Sequence, residues 1–188
     1  VRLLGYDPNA SEEPVTEEEI RMMVDVGGEK GVIEDSQKEM INNIFEFDDL
    51  DAGDIMTHRT DMTAAEISDP LSEIVSLSMD NGYSRIPVYD DDPDNIVGIA
   101  YVKDLLKYIG TDLPDDVTLR DIIREPVFVP ESMPCGDLFK QMTDKHTQMA
   151  IVVDEFGGTA GIVTLEDVLE SIVGNIQDEY DDEEEEIS

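Results

Sequence analysis

Hydrophobic positions near the N-terminus recur at helical spacing and predict two helices. The first carries the apolar stripe Ile20 to Val24 and begins at a capping box formed by Thr16 and Glu19. We expect the glycine-rich segment 27–31 to end it. A second stripe, Ile33 to Phe45, predicts the next helix.

The rest of the chain consists of two copies of one pattern of apolar and polar positions. Each copy has an opening motif, an amphipathic helix, a buried strand, a hairpin, a glycine-led strand and a closing helix. The paired landmarks are Asp54-Ile55-Met56 with Asp121-Ile122-Ile123, Ile86-Pro87-Val88 with Ala150-Ile151-Val152, and Gly98-Ile99-Ala100 with Gly161-Ile162-Val163. One copy is too small to bury both faces of a three-stranded sheet, so we expect the two to pack as one pseudo-symmetric α+β unit.

These patterns divide the chain into four parts. We assign an N-terminal helical linker to 1–49, a first repeat domain to 50–112, a second to 113–177 and a disordered acidic tail to 178–188. The chain begins with Val1 and shows no signal peptide, so we interpret it as a fragment of a longer protein. Its apolar runs are far shorter than a membrane span, so we expect the fragment to be soluble.

Charge and composition narrow the function. The chain has 47 acidic and 12 basic residues and a net charge of -35, which disfavours nucleic acid and favours divalent cations or basic surfaces as partners. Cys135 is the single cysteine, and His58 and His146 are the two histidines. We find no nucleophile with a base, no metal-ligand spacing and no phosphate-binding glycine loop, so we expect a binding module and not an enzyme.

Three ordered motifs resemble those of the CorC/HlyC hemolysin-like proteins and the related CNNM magnesium transport mediators. They are Asp54-Ile55-Met56-Thr57-His58-Arg59, Gly82-Tyr83-Ser84-Arg85-Ile86-Pro87-Val88 and Gly161-Ile162-Val163-Thr164-Leu165-Glu166-Asp167-Val168. The resemblance covers Thr16 to Tyr180 and implies tandem CBS domains, a Bateman module of two pseudo-twofold β-α-β-β-α repeats after a short helical segment. It also implies a regulatory role at the cytoplasmic face of the plasma membrane, beside a magnesium- and cobalt-transporting membrane domain that is absent from this chain.

The same resemblance implies a ligand and a site. CBS pairs of this kind bind ATP or AMP, usually with Mg²⁺, and form homodimers through their helices. The residues implied are Thr164 and Asp167 at the ribose, Thr57, Tyr83 and Ile86 at the adenosine, and Ser84 and Arg85 at the phosphates. Magnesium ligands cannot be assigned from the sequence.

Each of these roles has a plainer alternative. Thr164 and Asp167 have the spacing of a helix cap, and Arg85 could simply pair with one of the many acids. In copy one, Tyr101 occupies the position of Thr164, with Asp104 as an acid at a helix start, so we expect the second cleft to be empty or weak. The alternative function is direct sensing of divalent cations by the acidic surface, without nucleotide.

Overall fold

The computed structural model describes residues 15–108 and 117–174, so the predicted acidic tail lies outside the described part. It begins with α1 (Glu17–Glu29) and α2 (Asp35–Phe47). The capping box of α1 is confirmed: the Glu19 amide donates to Thr16 Oγ1 at 3.3 Å, and the Thr16 amide donates to Glu19 Oε2 at 3.1 Å.

The prediction that the glycine-rich segment 27–31 ends α1 is confirmed: the helix ends at Glu29, within that segment, and Gly31 follows with a left-handed φ of 67°, whereas Gly27 and Gly28 are still helical. A Cβ on Gly27 would lie 2.6 Å from Cδ1 of Ile33. The glycine therefore gives Ile33 room to fold back onto α1, and this tight contact offsets the low helix propensity of glycine.

Both repeats contain the predicted elements, and the α+β fold is confirmed. Copy one consists of α3 (Ala52–Ile55), β1 (Thr57–His58), β2 (Ala65–Glu66), α4 (Leu71–Asn81), β3 (Arg85–Asp90), β4 (Asp92–Tyr101), α5 (Val102–Leu105) and a 3₁₀ turn (Leu106–Tyr108). Copy two consists of a 3₁₀ turn (Leu119–Asp121), β5 (Phe128–Pro130), α6 (Cys135–Asp144), β6 (Met149–Val153), β7 (Thr159–Thr164) and α7 (Leu165–Val173).

The segment that opens each copy joins the sheet of the other copy. The copy-one sheet has the order β2-β3-β4, whereas β1 lies at the edge of the copy-two sheet, β1-β7-β6-β5. Thr57 on β1 pairs with Ile162 on β7. Reciprocally, Ile99 and Arg124 form an antiparallel bridge in which each amide donates to the other carbonyl at 2.9 Å. The two repeats are therefore linked by backbone hydrogen bonds in both directions.

The hydrophobic cores show the same exchange. Ala52, from the opening of copy one, is fully buried with Val129 and Leu138 of copy two. Leu119 and Ile122, from the opening of copy two, are buried in the copy-one core. Neither repeat completes its core alone, so we expect the pair to fold as a single cooperative unit.

Cys135 lies at the start of α6 and its side chain is fully buried. Burial raises the pKa of its thiol to about 11, and the nearby carboxylates of Asp54 and Asp51 add to the shift. The thiol is therefore protonated at neutral pH, which makes Cys135 a packing residue and a poor nucleophile.

Candidate functional site

A cleft of about 260 Å³ lies where copy one meets copy two, and it brings together five of the residues singled out in the sequence. These are Thr57, Tyr83, Arg85, Thr164 and Asp167. They come from β1, from the α4–β3 connection and the first residue of β3, and from the junction of β7 with α7. Thr57 reaches the site because β1 pairs with β7, so the exchanged strand positions a copy-one side chain against the copy-two wall.

Thr164 and Asp167 form the helix cap that their spacing predicts. The amide and hydroxyl of Thr164 donate to Oδ2 of Asp167 at 2.7 Å and 2.8 Å, and the Asp167 amide donates to Thr164 Oγ1 at 3.2 Å. Both contacts with the carboxylate use the same oxygen, Oδ2. Within the described residues Oδ1 has no hydrogen-bond partner, and a carboxylate oxygen can accept from a ligand hydroxyl. The cap and a ligand role are therefore compatible.

Arg85 is held loosely although the chain is rich in acids. Its Nη1 lies 3.5 Å from Oε1 of Glu166, whose side chain is 62% exposed. An exposed ion pair at this distance contributes little stability, about 0–1 kcal/mol. The Nε of Arg85 is buried and has no hydrogen-bond partner. The guanidinium therefore keeps donors that an anionic ligand could satisfy.

Two of the predicted residues do not line this cleft. Ser84 lines a neighbouring cavity of about 500 Å³. The Ile86 side chain has no exposed surface and packs in the copy-one core. Successive residues of a strand point to opposite faces, so when Arg85 on β3 faces the cleft, Ile86 must face inward.

Five further residues line the cleft that sequence reasoning did not select: Asp61, Met62, Thr63, Met149 and Ile162. The repeat contains a signal for Met149, because Met149 pairs with Thr164 at the start of β6 as Arg85 pairs with Tyr101 at the start of β3. Ile162 is the β7 partner of Thr57. The loop from Asp61 to Thr63 carries no comparable signal, since its position depends on the exchange of β1.

The pseudo-symmetric position in copy one is filled by protein side chains. Arg124, whose bridge to Ile99 matches the pairing of Thr57 with Ile162, donates to Oδ2 of Asp104 from Nε at 2.9 Å and from Nη2 at 2.6 Å. Its guanidinium carbon lies 4.2 Å from the ring centroid of Tyr101. Asp104 lies in the first turn of α5, as expected of a helix-start acid, and its carboxylate also accepts the hydrogen bonds of Arg124. A nucleotide would have to displace this cluster.

Comparison with known proteins shows which domain family the two repeats belong to. The CBS domain family model matches residues 52–111 and again 117–174. A solved structure described as the CBS domain of the bacterial CNNM/CorC family Mg²⁺ transporter is 44% identical and covers 87% of this chain and 99% of its own, with a TM-score of 0.78. The chain is a pair of CBS domains of the CNNM/CorC family. The family resemblance in the motifs is thereby confirmed.

Two further matches are a longer protein that contains a similar segment and a similar CBS domain that was solved with a ligand. The Magnesium and cobalt efflux protein CorC of Vibrio cholerae is 40% identical over 153 residues, which are 81% of this chain and 52% of that protein. A CNNM/CorC CBS domain solved in complex with ATP is 47% identical and covers 74% of this chain and 98% of its own, with a TM-score of 0.70. The chain spans only 28% to 43% of the length of the first curated relatives it matches. No helix in 15–108 or 117–174 has the length and apolar content to cross a bilayer.

Proposed function

We propose that this CBS pair is a regulatory module that binds an adenine nucleotide, ATP or AMP, together with Mg²⁺, and that it catalyses no reaction. The observation that carries the proposal is the buried, unpartnered Nε of Arg85, in a residue that lines the same cleft as Asp167. A buried donor without an acceptor costs about 1–3 kcal/mol. A phosphate oxygen in the cleft would supply the missing acceptor once the guanidinium turns toward it.

The other walls of the cleft suit the rest of a nucleotide. Asp167 offers a free carboxylate oxygen, which can accept from ribose hydroxyls while Oδ2 keeps the helix cap. Met62, Met149 and Ile162 supply apolar surface for the flat base. Base, sugar and phosphate would thus each meet the type of surface that binds it.

Electrostatics explains the proposed role of Mg²⁺. A chain with a net charge of -35 repels a polyanion at long range, and a divalent cation on the phosphates reduces that repulsion. Among residues 15–108 and 117–174, no group of three or more His, Cys, Asp and Glu side chains is placed to hold a metal ion. We therefore propose that Mg²⁺ arrives with the nucleotide, and direct cation sensing remains the alternative for experiment to exclude.

We further propose that the module regulates a membrane domain that transports magnesium or cobalt, from the cytoplasmic face. The support is the likeness to CorC together with the packing of α2 against α7. The candidate site lies at the beginning of α7, and α2 packs on the same helix. Ligand occupancy could therefore be communicated from α7 to the helical segment at the N-terminal end of the chain.

A thermal-shift series tests the proposed ligand. A ligand at 100 times its dissociation constant stabilises by about 2.7 kcal/mol, which for a domain of this size raises Tm by about 5–10 °C. We expect ATP and AMP with Mg²⁺ to produce such a shift, and calorimetry to give one nucleotide per chain because Arg124 fills the other cleft. A shift with Mg²⁺ alone that nucleotide does not increase would support direct cation sensing instead.

We also propose that two chains associate through the CBS helices. Large apolar side chains are exposed on or next to these helices: Met79 is 78% exposed, Leu106 58%, Leu169 44% and Phe139 37%. Contact between two copies would remove this surface from water. Light scattering should give twice the 21.0 kDa of one chain, and Met79→Glu should shift the mass toward the monomer. A monomeric wild-type chain at micromolar concentration would contradict the dimer.

A further inference from the structure

One wall of the cleft that we assign to the nucleotide is a single stretch of chain, residues 57–63. Thr57 lies at its beginning and Asp61, Met62 and Thr63 lie at its end, and all four line the cleft. The stretch contains β1 and the loop that follows it, and only its first two residues pair with β7 in regular register. The position of this wall therefore depends on what holds the loop after β1.

Arg59 lies in the middle of the wall and anchors it to the rest of the protein. Its amide donates to the carbonyl of Ala160 at 2.8 Å, which extends the contact of β1 with β7. Its Nη1 donates to Oδ1 of Asp94 on β4 at 2.5 Å. Within the described part of the chain, no other side chain of 57–63 forms a hydrogen bond to another element. The guanidinium thus holds the wall from outside, and Arg59 is not among the residues that line the cleft.

The same carboxylate oxygen also binds copy two. Asp94 Oδ1 accepts from the amide of Thr159 at 3.0 Å, and the Asp94 carbonyl accepts from the Thr159 hydroxyl at 3.3 Å. Thr159 is only 3% exposed, so its amide and hydroxyl depend on Asp94 for their partners. One residue of β4 therefore joins the end of β1, through Arg59, to the start of β7.

This contact differs from an ordinary surface ion pair. Exposed pairs contribute little, in part because two long side chains lose their freedom when they meet. The side chains of Arg59 and Asp94 are 43% and 41% exposed. However, the Asp94 carboxylate is already fixed by the buried Thr159, so less freedom is lost when Arg59 binds it. A charge-assisted hydrogen bond to such an oriented acceptor is strong enough to hold the loop.

The repeat shows that copy two lacks this contact. The position of Arg59 is Pro126 in copy two, and the hairpin position of Asp94 is a glycine there, Gly157 or Gly158 depending on the alignment of the two hairpins. Neither proline nor glycine can form a side-chain ion pair. The filled copy-one cleft therefore has no equivalent of the contact, whereas the open cleft has it.

We propose that Arg59 and Asp94 form a latch that positions the 57–63 wall, so that both residues determine nucleotide affinity without contacting the nucleotide. The closed latch holds Thr57 and Met62 where a nucleoside would meet them. With the latch open, the wall is free to move away from β7, and binding requires that the closed state be recovered. The apparent affinity then falls in proportion to the closed fraction. The effect on affinity rests on the proposed function, but the latch itself is a property of the free protein.

Hydrogen exchange and calorimetry test the latch together. Asp94→Asn removes the charge but keeps an oxygen for the Thr159 amide, so we expect Tm to change little. In the free protein, amide exchange across 57–63 should accelerate by about three- to tenfold, because the wall opens more often. Affinity for AMP and for ATP should fall by a similar factor, about three- to tenfold. The two losses should be equal because the wall meets the nucleoside that both ligands share.

Substitutions of Arg59 give a second readout. Arg59→Met should reproduce the losses of Asp94→Asn, and Arg59→Lys should lose less because it keeps the charge. The double variant Arg59→Met/Asp94→Asn should bind no more weakly than either single variant, since both substitutions open the same latch. If Arg59→Met weakened ATP alone and Asp94→Asn bound ATP like the wild type, Arg59 would contact the phosphates and the latch would be overturned.

Asp90→Asn is the matched control. Asp90 lies on the same β3–β4 hairpin, its side chain is 42% exposed, and its Oδ2 accepts from Nη2 of Arg120 at 2.8 Å. This variant should leave exchange in 57–63 and nucleotide affinity unchanged. Equal effects of Asp90→Asn and Asp94→Asn, or no effect of Asp94→Asn, would overturn the latch while leaving the proposed function intact. If the wild-type chain bound no adenine nucleotide, the proposed function would be wrong, and exchange in 57–63 would still decide whether the latch exists.

Discussion

Asp167→Asn should weaken ATP binding by about 10- to 100-fold and lower stability only slightly. Hydrogen bonds to a charged group are worth about 1.5–3 kcal/mol, and each 1.4 kcal/mol is about tenfold in affinity. The amide keeps one oxygen for the helix cap but cannot accept from two ribose hydroxyls at once. Calorimetry gives the affinity, and circular dichroism melting of the free protein gives the loss of stability, which should be about 1 kcal/mol or less.

The chain contains a matched control for this substitution. Thr118 and Asp121 form the same motif: the amide and hydroxyl of Thr118 donate to Oδ2 of Asp121 at 2.9 Å and 2.7 Å. These hydrogen bonds lower the pKa of Asp121. Asp121 is not among the residues that line the cleft. Asp121→Asn should therefore weaken its cap but leave ATP affinity unchanged, and equal losses in both variants would reduce the role of Asp167 to capping.

The repeat and its local signals account for most of what the sequence could predict. The capping boxes at Thr16 and Thr164 involve residues three apart, so short-range spacing is enough to identify them. The exchange of opening segments is different. That β1 pairs with β7 depends on how the two copies pack, and no local pattern in Thr57 and His58 indicates which sheet they join.

The same distinction applies to the site. Thr57, Arg85 and Asp167 reach one cleft, whereas Ile86 was selected by resemblance and lies in the core because side chains alternate along β3. Met62 and Thr63 could not be predicted, since they reach the cleft through the exchanged strand. Whether the predicted residues contact a nucleotide stays a prediction until binding is measured.

The asymmetry of the two clefts also follows from side chains that local spacing does not connect. Tyr101 in place of threonine indicated that the copy-one cleft would be empty or would bind a nucleotide weakly. The side chain that fills this cleft beside Tyr101 is Arg124, from the opening of copy two. Arg124 reaches Asp104 only because its backbone bridges to Ile99. The exchange that places Thr57 in one cleft thus places Arg124 in the other. Thr57 leaves its cleft open, whereas Arg124 fills the other cleft.

Gly161→Ala should destabilise the protein by about 3 kcal/mol or more and weaken nucleotide binding as well. A Cβ at this position would overlap the carbonyl oxygen of Thr57, a backbone atom that cannot move unless β1 separates from β7. Separation would break the pairing that links the two copies and would withdraw Thr57 from the cleft.

Gly136→Ala is the control, because nothing lies within 4 Å of its added methyl group and alanine favours helix α6. Urea denaturation should show a large stability loss for the first variant and none for the second. A Gly161→Ala protein of wild-type stability would show that β1 is not held tightly against β7.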